Sequence, residues 1–153
     1  MMKHNVVVET VQPELIAAVR STVRVGEVGR AWKPALDQVW AFLHENREPA
    51  HGHNLFLYHH PAQRDQPMEV DFGVEVSERF EPVGNVRCVE TPAGEVARTV
   101  HRGPYDQLGA AHEAIHTWCA AHGRKIGQAS WETYGDTTED PADQETTITY
   151  LLA

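Results

Sequence analysis

An internal repeat constrains the fold of this chain more than any other feature of its sequence. Residues 22–26 (TVRVG) resemble residues 99–103 (TVHRG), and a helical pattern follows each of these segments. In this alignment Gly26 corresponds to Gly103. Self-similarity of this kind indicates that one supersecondary unit occurs twice. The chain is therefore predicted to contain two copies of one unit, at about residues 4–77 and 86–152.

Both helical patterns have the spacing of amphipathic helices. In the first, from Val28 to Asn46, apolar residues recur at positions 32, 36, 39, 40 and 43. In the second, from Pro104 to His122, they recur at positions 108, 111, 115, 118 and 119. Gly103 and Pro104 before the second helix, and Gly123 after it, are typical start and stop signals.

The rest of the chain is predicted to form strands. Residues 68–76 alternate strictly between apolar and polar side chains, as expected of a strand with one buried face. Further strands are predicted at 4–10, 14–24, 54–60, 86–91, 94–102, 129–135 and 145–152. Two βαββ units of this kind predict one α+β domain over residues 1–153. Its antiparallel sheet carries both helices on one face, with a central cleft for a ligand on a pseudo-twofold axis.

The composition narrows the range of partners. A net charge of −9 argues against binding to a phosphate backbone and favours cationic or neutral ligands, although an acidic surface also serves solubility alone. Cys88 and Cys119 form no disulfide framework, which indicates a reducing compartment. The sequence has neither a signal peptide nor an apolar run long enough for a membrane span. We therefore expect a cytoplasmic protein with a small-molecule ligand, without contact to nucleic acid or membrane.

The segment 112–116, HEAIH, matches the H-E-x-x-H pattern of zinc proteases and lies on a predicted helix. Zinc chemistry needs both histidines on one face, the glutamate near the metal-bound water, and a third ligand. His112 and His116 fall at the margin of the buried face, Glu113 points away from it, and no third ligand is evident. The histidines at 51, 53, 59 and 60 are interpreted as parts of solvated turns. No metal and no cofactor are expected.

Four segments together are similar to one known family. They are residues 92–97 (PAGEVA), residues 101–108 (HRGPYDQL), Trp118 before Gly123, and residues 131–134 (WETY). This combination resembles the GyrI-like domain, which is also called the effector-binding domain when it is fused to helix-turn-helix regulators. The resemblance covers nearly the whole chain, and most of its specificity lies in the second half.

The resemblance implies a duplicated βαββ fold around a central pocket, but it leaves the function open. In multidrug-binding members, an acidic residue on the Glu-x-Tyr strand receives cationic aromatic ligands, and Glu132 stands at that position here. Other members resemble hydrolases that open the cyclopropane ring of DNA-alkylating natural products by adding water. Still others are said to protect gyrase.

Glu132 and Tyr134 are predicted to share one face of their strand, so the carboxylate lies among aromatic rings. A buried carboxylate is costly unless a cation or a hydrogen bond satisfies it. Alternatively, an apolar wall raises its pKa and suits it to activate water, or it pairs with an arginine or with solvent. The predicted ligand-binding residues are Phe56, Tyr58, Tyr105, Trp118, Glu132 and Tyr134.

Two functions therefore stay open at this point. The first is the binding of small hydrophobic molecules, including cationic ones, for sensing, sequestration or drug resistance. The second is the hydrolysis of cyclopropanoids. In that case Glu132 activates water, and Tyr134 or Tyr105 stabilises the leaving phenolate. The oligomeric state and any protein partner do not follow from the sequence.

Overall fold

The computed structural model describes residues 4–24, 26–46, 50–63 and 65–153. The elements in these ranges are β1 (Val7–Val11), β2 (Leu15–Val23), α1 (Val28–Glu45), β3 (His51–His59), β4 (Met68–Val76), β5 (Arg87–Glu90), β6 (Gly94–Arg102), α2 (Leu108–Ala121), β7 (Ile126–Tyr134) and β8 (Glu145–Leu152). A 3₁₀ turn, Tyr105–Gln107, leads into α2. Neither helix within these ranges is long and apolar enough to cross a membrane.

The predicted fold class is confirmed: the strands form one antiparallel sheet, and both helices pack on the same face. Alternate residues of each strand point to this face, and most of them are apolar. Leu36 and Val39 of α1 pack on the first half of the sheet, which contributes Phe72. Ala111 and Ile115 of α2 pack on the second half. The strand predicted at 68–76 has these bounds, whereas β3 and β7 each begin three residues earlier than predicted.

The order of the strands has two-fold symmetry. It runs β1-β6-β8-β7-β3-β4-β2-β5, with antiparallel pairing throughout. Exchanging β1 with β5, β2 with β6, β3 with β7 and β4 with β8 reverses this order without changing it. A pseudo-twofold axis therefore passes between β3 and β7. The first strand of each half, β1 or β5, pairs with a strand of the other half.

The register shows where this axis lies and corrects the predicted alignment of the repeat. One row of paired residues crosses six strands in the order Val19, Phe72, Phe56, Glu132, Ile148, Thr99. Together with the helix starts at Val28 and Leu108, this row makes Phe56 and Glu132 counterparts that face each other at the axis. Trp32 and His112 are counterparts on the helices in the same way.

The counterpart of Gly103 is consequently Val23, not Gly26 as the sequence alignment predicted. Gly26 and Gly103 both have a positive φ, but they lie at different distances from their strands. The reason lies in the connections to the helices: Gly26 follows the end of β2 at Val23 by three residues, whereas Gly103 directly follows the end of β6 at Arg102. A comparison of five-residue segments does not detect this difference. Val25, which belongs to the aligned segment, lies outside the described residues.

Two short connections force the sheet to bend. Residues 12–14 join β1 to β2, and residues 91–93 join β5 to β6, although each pair of strands is six places apart in the sheet. Four residue steps span at most about 14 Å, whereas six strand spacings in a flat sheet need about 29 Å. The two connections contact each other through Glu14 and Thr91. The backbone N–H of Glu14 donates to Thr91 Oγ1, and the backbone N–H of Thr91 donates to the carbonyl oxygen of Glu14, both at 2.8 Å. The face away from the helices is thus folded onto itself and buries Leu55, Leu57 and Trp131.

A buried carboxylate joins three strands on this second face. The side chain of Asp71 on β4 is fully buried. Arg20 on β2 donates two hydrogen bonds to it, of 3.0 and 2.9 Å, and His59 Nε2 on β3 lies 2.6 Å from Oδ2. Burial pushes the pKa of Asp71 upward, but the hydrogen bonds from His59 and Arg20 outweigh burial and hold the pKa below its usual value.

We expect this carboxylate to make the protein sensitive to acid. Because the pKa of Asp71 is lower in the folded state, its contribution is complete above its unfolded pKa of about 3.9. That contribution disappears as the pH falls through the folded pKa. Urea unfolding of the wild type and of Asp71→Asn, from neutral to acidic pH, measures this loss of stability. The variant should be less stable at neutral pH and should lose less stability on acidification. Equal losses in both proteins would contradict the assignment.

Candidate functional site

Glu132 lies at the centre of the sheet, on the face that carries the helices. It belongs to β7 and stands directly opposite Phe56 of β3, next to the pseudo-twofold axis. It is 6% exposed, although its side chain is ionisable. The alternation of β7 places Ser130 and Tyr134 on the same face, because side chains two residues apart share a face of a strand. The carboxylate is therefore held between the two helices by the central strands.

Three side chains satisfy this carboxylate. The hydroxyls of Tyr58 and Tyr134 donate hydrogen bonds of 2.5 and 2.8 Å to Oε1. His112 Nε2 on α2 lies 2.7 Å from Oε2. Burial pushes the pKa of Glu132 upward, but the hydrogen bonds from His112 and Tyr58 outweigh it, so the pKa lies below its ordinary value. Of the alternatives left open by the sequence, neither a raised pKa nor an arginine partner is found for Glu132.

The two tyrosines remain protonated donors. Burial raises the pKa of both Tyr58 and Tyr134, and the negative charge of Glu132 raises it further. Because each phenol keeps its proton, it can donate a hydrogen bond, and the ionised Glu132 accepts both of them. The result is an ionised carboxylate that is desolvated and fixed in position.

A hydrogen-bonded chain continues from Glu132 through His112. The Nδ1 atom of His112 lies 2.7 Å from the hydroxyl of Tyr150 on β8. Burial, followed by the charge of Glu132, raises the pKa of Tyr150 to about 12, so this phenol also keeps its proton. In a neutral imidazole one nitrogen donates and the other accepts. In the neutral form of His112, Nε2–H donates to Glu132, and Nδ1 accepts from Tyr150.

The space around Glu132 is divided into two lobes. The apolar lobe, about 420 Å³, lies on the α1 side and is lined by Trp32, Leu36, Phe56, Tyr105, Leu108 and Tyr134. The polar lobe, about 360 Å³, lies on the α2 side and is lined by His60, Met68, His112, Ser130 and Tyr150. Val28, Tyr58 and Glu132 belong to both lobes. The carboxylate thus stands between an apolar and a hydrogen-bonding compartment.

Aromatic rings in the apolar lobe contact one another edge to face. The rings of Phe56 and Tyr134 have centroids 4.9 Å apart, and those of Tyr105 and Tyr134 are 5.5 Å apart. Trp32 lies 6.4 Å from Phe56. Trp32 and Tyr105 are 38% and 51% exposed, so they form the rim of the lobe. Such rings offer flat apolar surfaces to an aromatic guest.

Five of the six predicted ligand-binding residues line one cavity, and Trp118 does not. Phe56, Tyr58, Tyr105, Glu132 and Tyr134 all line the apolar lobe. Trp118 is partly buried against the core under α2, and its ring stacks on His122 with centroids 4.0 Å apart. The reason is helix geometry: at about 100° per residue, Trp118 and His112 lie at opposite margins of the face that buries Ala111, Ile115 and Cys119.

Among the residues of this site that the sequence prediction does not include, His112 and Trp32 make the most specific contacts. His112 was considered only as a zinc ligand in the H-E-x-x-H pattern, although it lies one turn after Leu108 on the same side of α2. Trp32 was assigned to the buried stripe of α1. The described residues contain no group of three or more side chains able to hold a metal ion.

The remaining histidines are also placed differently from the prediction. His51, His53 and His59 belong to β3 and not to solvated turns. His53 Nε2 lies 2.8 Å from Asp136, and His60 Nε2 lies 2.8 Å from Ser130 Oγ in the polar lobe.

Solved structures with this fold are similar over almost the whole chain. The crystal structure of the EcmrR C-terminal domain superposes with a TM-score of 0.81 at 20% identity, covering 99% of both chains. SAV2435 bound to tetraphenylphosphonium gives 0.68 at 10% identity, covering 97% of this chain and 94% of the other. A hydrolase from Listeria innocua gives 0.68 at 11% identity, with coverages of 97% and 91%. At these identities the likeness concerns the fold.

None of the curated proteins matches the sequence. A family does match, and it does so over residues 4–152, which include both βαββ units and every residue that lines the two lobes. This confirms the resemblance recognised in the sequence. The chain belongs to the family of GyrI-like small molecule binding domains.

Proposed function

We propose that this protein binds flat, hydrophobic organic molecules that carry a positive charge. The aromatic body of the ligand occupies the apolar lobe, and its charge faces Glu132. The observation that carries this proposal is the state of the carboxylate. It is ionised and 6% exposed, and its partners Tyr58, Tyr134 and His112 carry no permanent positive charge.

A cation in the cavity stabilises the carboxylate of Glu132 beyond what these hydrogen bonds provide. A desolvated carboxylate is stabilised by an opposite charge at short range. Aromatic faces next to it attract the same cation through their ring electrons. The volumes of the two lobes lie in the range of ordinary small-molecule sites, about 300–1,000 Å³. The net charge of −9 adds long-range attraction for cations.

The comparisons support the same class of ligand. SAV2435 has this fold and was solved with tetraphenylphosphonium, an aromatic cation. In the cavity described here, the phenyl groups of such a ligand can contact Trp32, Phe56 and Tyr105 while its charge approaches Glu132. The two free cysteines, Cys88 and Cys119, agree with a location in the reducing cytoplasm.

Titration with a matched pair of ligands tests the proposal. We expect tetraphenylphosphonium to quench tryptophan fluorescence saturably and to bind about 30-fold more tightly than neutral triphenylphosphine oxide, since a desolvated cation among aromatic rings gains about 2 kcal/mol. The quenching should decrease in Trp32→Phe, which keeps an aromatic ring at the rim. Equal affinity for both ligands, or no binding, would contradict the proposal.

Hydrolysis of a cyclopropanoid is the second candidate, and the chain from Tyr150 through His112 to Glu132 favours it, because such a chain can carry a proton. A hydrolase from Listeria innocua shares the fold. In this reaction Glu132 takes a proton from water, the oxygen of that water bonds to a cyclopropane carbon as a ring C–C bond breaks, and the released electron pair forms a phenolate that Tyr134 or Tyr105 stabilises. Oε1 of Glu132 accepts two hydrogen bonds and Oε2 accepts one, so a lone pair of Oε2 is left for that proton.

A further inference from the structure

His112 stands in the second half of the molecule where Trp32 stands in the first. The two residues are counterparts across the pseudo-twofold axis, and each lies over one member of the Phe56–Glu132 pair. Trp32 packs near Phe56, and His112 bonds to Glu132. The first half therefore has an indole over Phe56, whereas the second half has an imidazole that contacts the carboxylate. Imidazole is the side chain whose charge ordinarily changes between about pH 5 and pH 8.

The hydrogen bonds of His112 accommodate both charge states. In the neutral form Nε2–H donates to Glu132, and Nδ1 accepts from Tyr150. In the protonated form both nitrogens donate, and the Tyr150 hydroxyl can rotate to accept. The distances of 2.7 Å on each side of the ring are compatible with both states. The net charge around the carboxylate nevertheless differs by one unit.

We propose that His112 determines which ligand charge the cavity accepts, an inference that rests on the proposed function. With His112 neutral, Glu132 presents its full negative charge to a cationic ligand. With His112 protonated, the imidazolium takes the place of that cation, and the cavity favours uncharged guests. His112 thus determines the specificity of the cavity, because its protonated form competes with a cationic ligand for the charge of Glu132.

The surroundings of His112 restrict which other groups contribute. Burial lowers the pKa of His60, which favours its neutral form in the polar lobe. His116 on the same helix contacts the ring of Tyr150, with centroids 5.1 Å apart. Within the described residues, the titratable side chains that face His112 or share its lobe are Tyr58, His60, His116, Glu132, Tyr134 and Tyr150.

The direction of the pH effect follows from linkage. A cation binds more tightly when His112 is neutral, so its affinity falls as the pH decreases. By reciprocity, binding of the cation expels a proton from His112. Tetraphenylphosphonium is a suitable probe because its charge is permanent and does not change with pH.

Calorimetric titration with tetraphenylphosphonium at about pH 8 and about pH 5.5, on either side of an ordinary imidazole titration, tests the inference. We expect binding to be about tenfold weaker at the lower pH, the equivalent of one unit of pKa. In His112→Gln the amide still donates to Glu132 but gains no proton, so the affinity should become independent of pH. His116→Gln, a matched change on the same helix, should keep the dependence.

The outcomes separate this inference from the proposed function. If the wild type fails to bind the probe at both pH values, the proposed function is wrong. If it binds equally well at both, or if His112→Gln keeps the dependence, the role of His112 is wrong while binding stands. Loss of the dependence in His60→Gln alone would assign it to His60 instead. The wild type should also release protons when it binds the probe at the lower pH, and no release would overturn the inference without any variant.

Discussion

Replacement of Glu132 by glutamine is expected to weaken the binding of tetraphenylphosphonium by about 1–3 kcal/mol, which is roughly 5- to 150-fold in dissociation constant. Glutamine keeps the shape of the side chain and removes its charge. Tyr58 and Tyr134 can still donate to the amide oxygen, and His112 can accept from the amide nitrogen by changing its tautomer. The expected loss therefore reports the missing charge, and neutral ligands should bind nearly as before.

The control for this variant is Glu139→Gln, the same chemical change at an exposed position. It alters the net charge equally, so it measures the part of the effect that arises from long-range attraction. If the protein is a hydrolase, Glu132→Gln should instead abolish turnover of a strained electrophile and leave its binding nearly intact. If neither binding nor turnover changes, Glu132 is structural and the site is wrongly assigned.

Replacement of Phe72 by alanine is expected to reduce the free energy of unfolding by about 3–5 kcal/mol. Phe72 is fully buried on β4, and its ring meets Phe56 edge to face, with centroids 4.8 Å apart. A domain of this size is stable by only about 5–15 kcal/mol, so the loss is a large fraction. Because Phe72 supports Phe56, binding in the apolar lobe should weaken as well.

Urea unfolding, with ligand titration on the folded variant, measures both effects of Phe72→Ala. The control is Val100→Ala on β6, where valine is 46% exposed and the change should stay within about 0.5 kcal/mol. A loss below about 1 kcal/mol in Phe72→Ala would show that the site collapses around the missing ring, contrary to the packing described here.

The features that the sequence predicted well are those with a local cause. The alternation over residues 68–76 follows from burial of one face of β4, and the spacing of α1 follows from packing of one stripe. Glu132 and Tyr134 could be placed on one face because two residues on a strand always share it. Each of these inferences needs only neighbours in the sequence.

The features that the sequence did not predict depend on contacts between distant segments. His112 reaches Glu132 from another element, and its hydrogen bond, together with that of Tyr58, outweighs burial and lowers the pKa of the carboxylate. The pattern of HEAIH pointed to a metal, whereas the fold directs His112 to a carboxylate outside the pattern. The register of the repeat likewise depends on which residues pair between distant strands. In this register, α1 is about one turn longer than α2. Trp118 does not reach the site because it lies at the margin of the buried face of α2 that is opposite to His112.

The position of the axis has a consequence for the way a ligand is oriented. In a homodimer of a single βαββ unit, the residues at positions 56 and 132 would be identical, and so would those at 32 and 112. Two facing glutamates would repel each other, and two facing phenylalanines would offer no charge. In this chain the two positions differ, and Phe56 faces Glu132. A ligand with one apolar end and one charged end consequently has a single preferred direction in the cavity, although the framework around it is nearly symmetric.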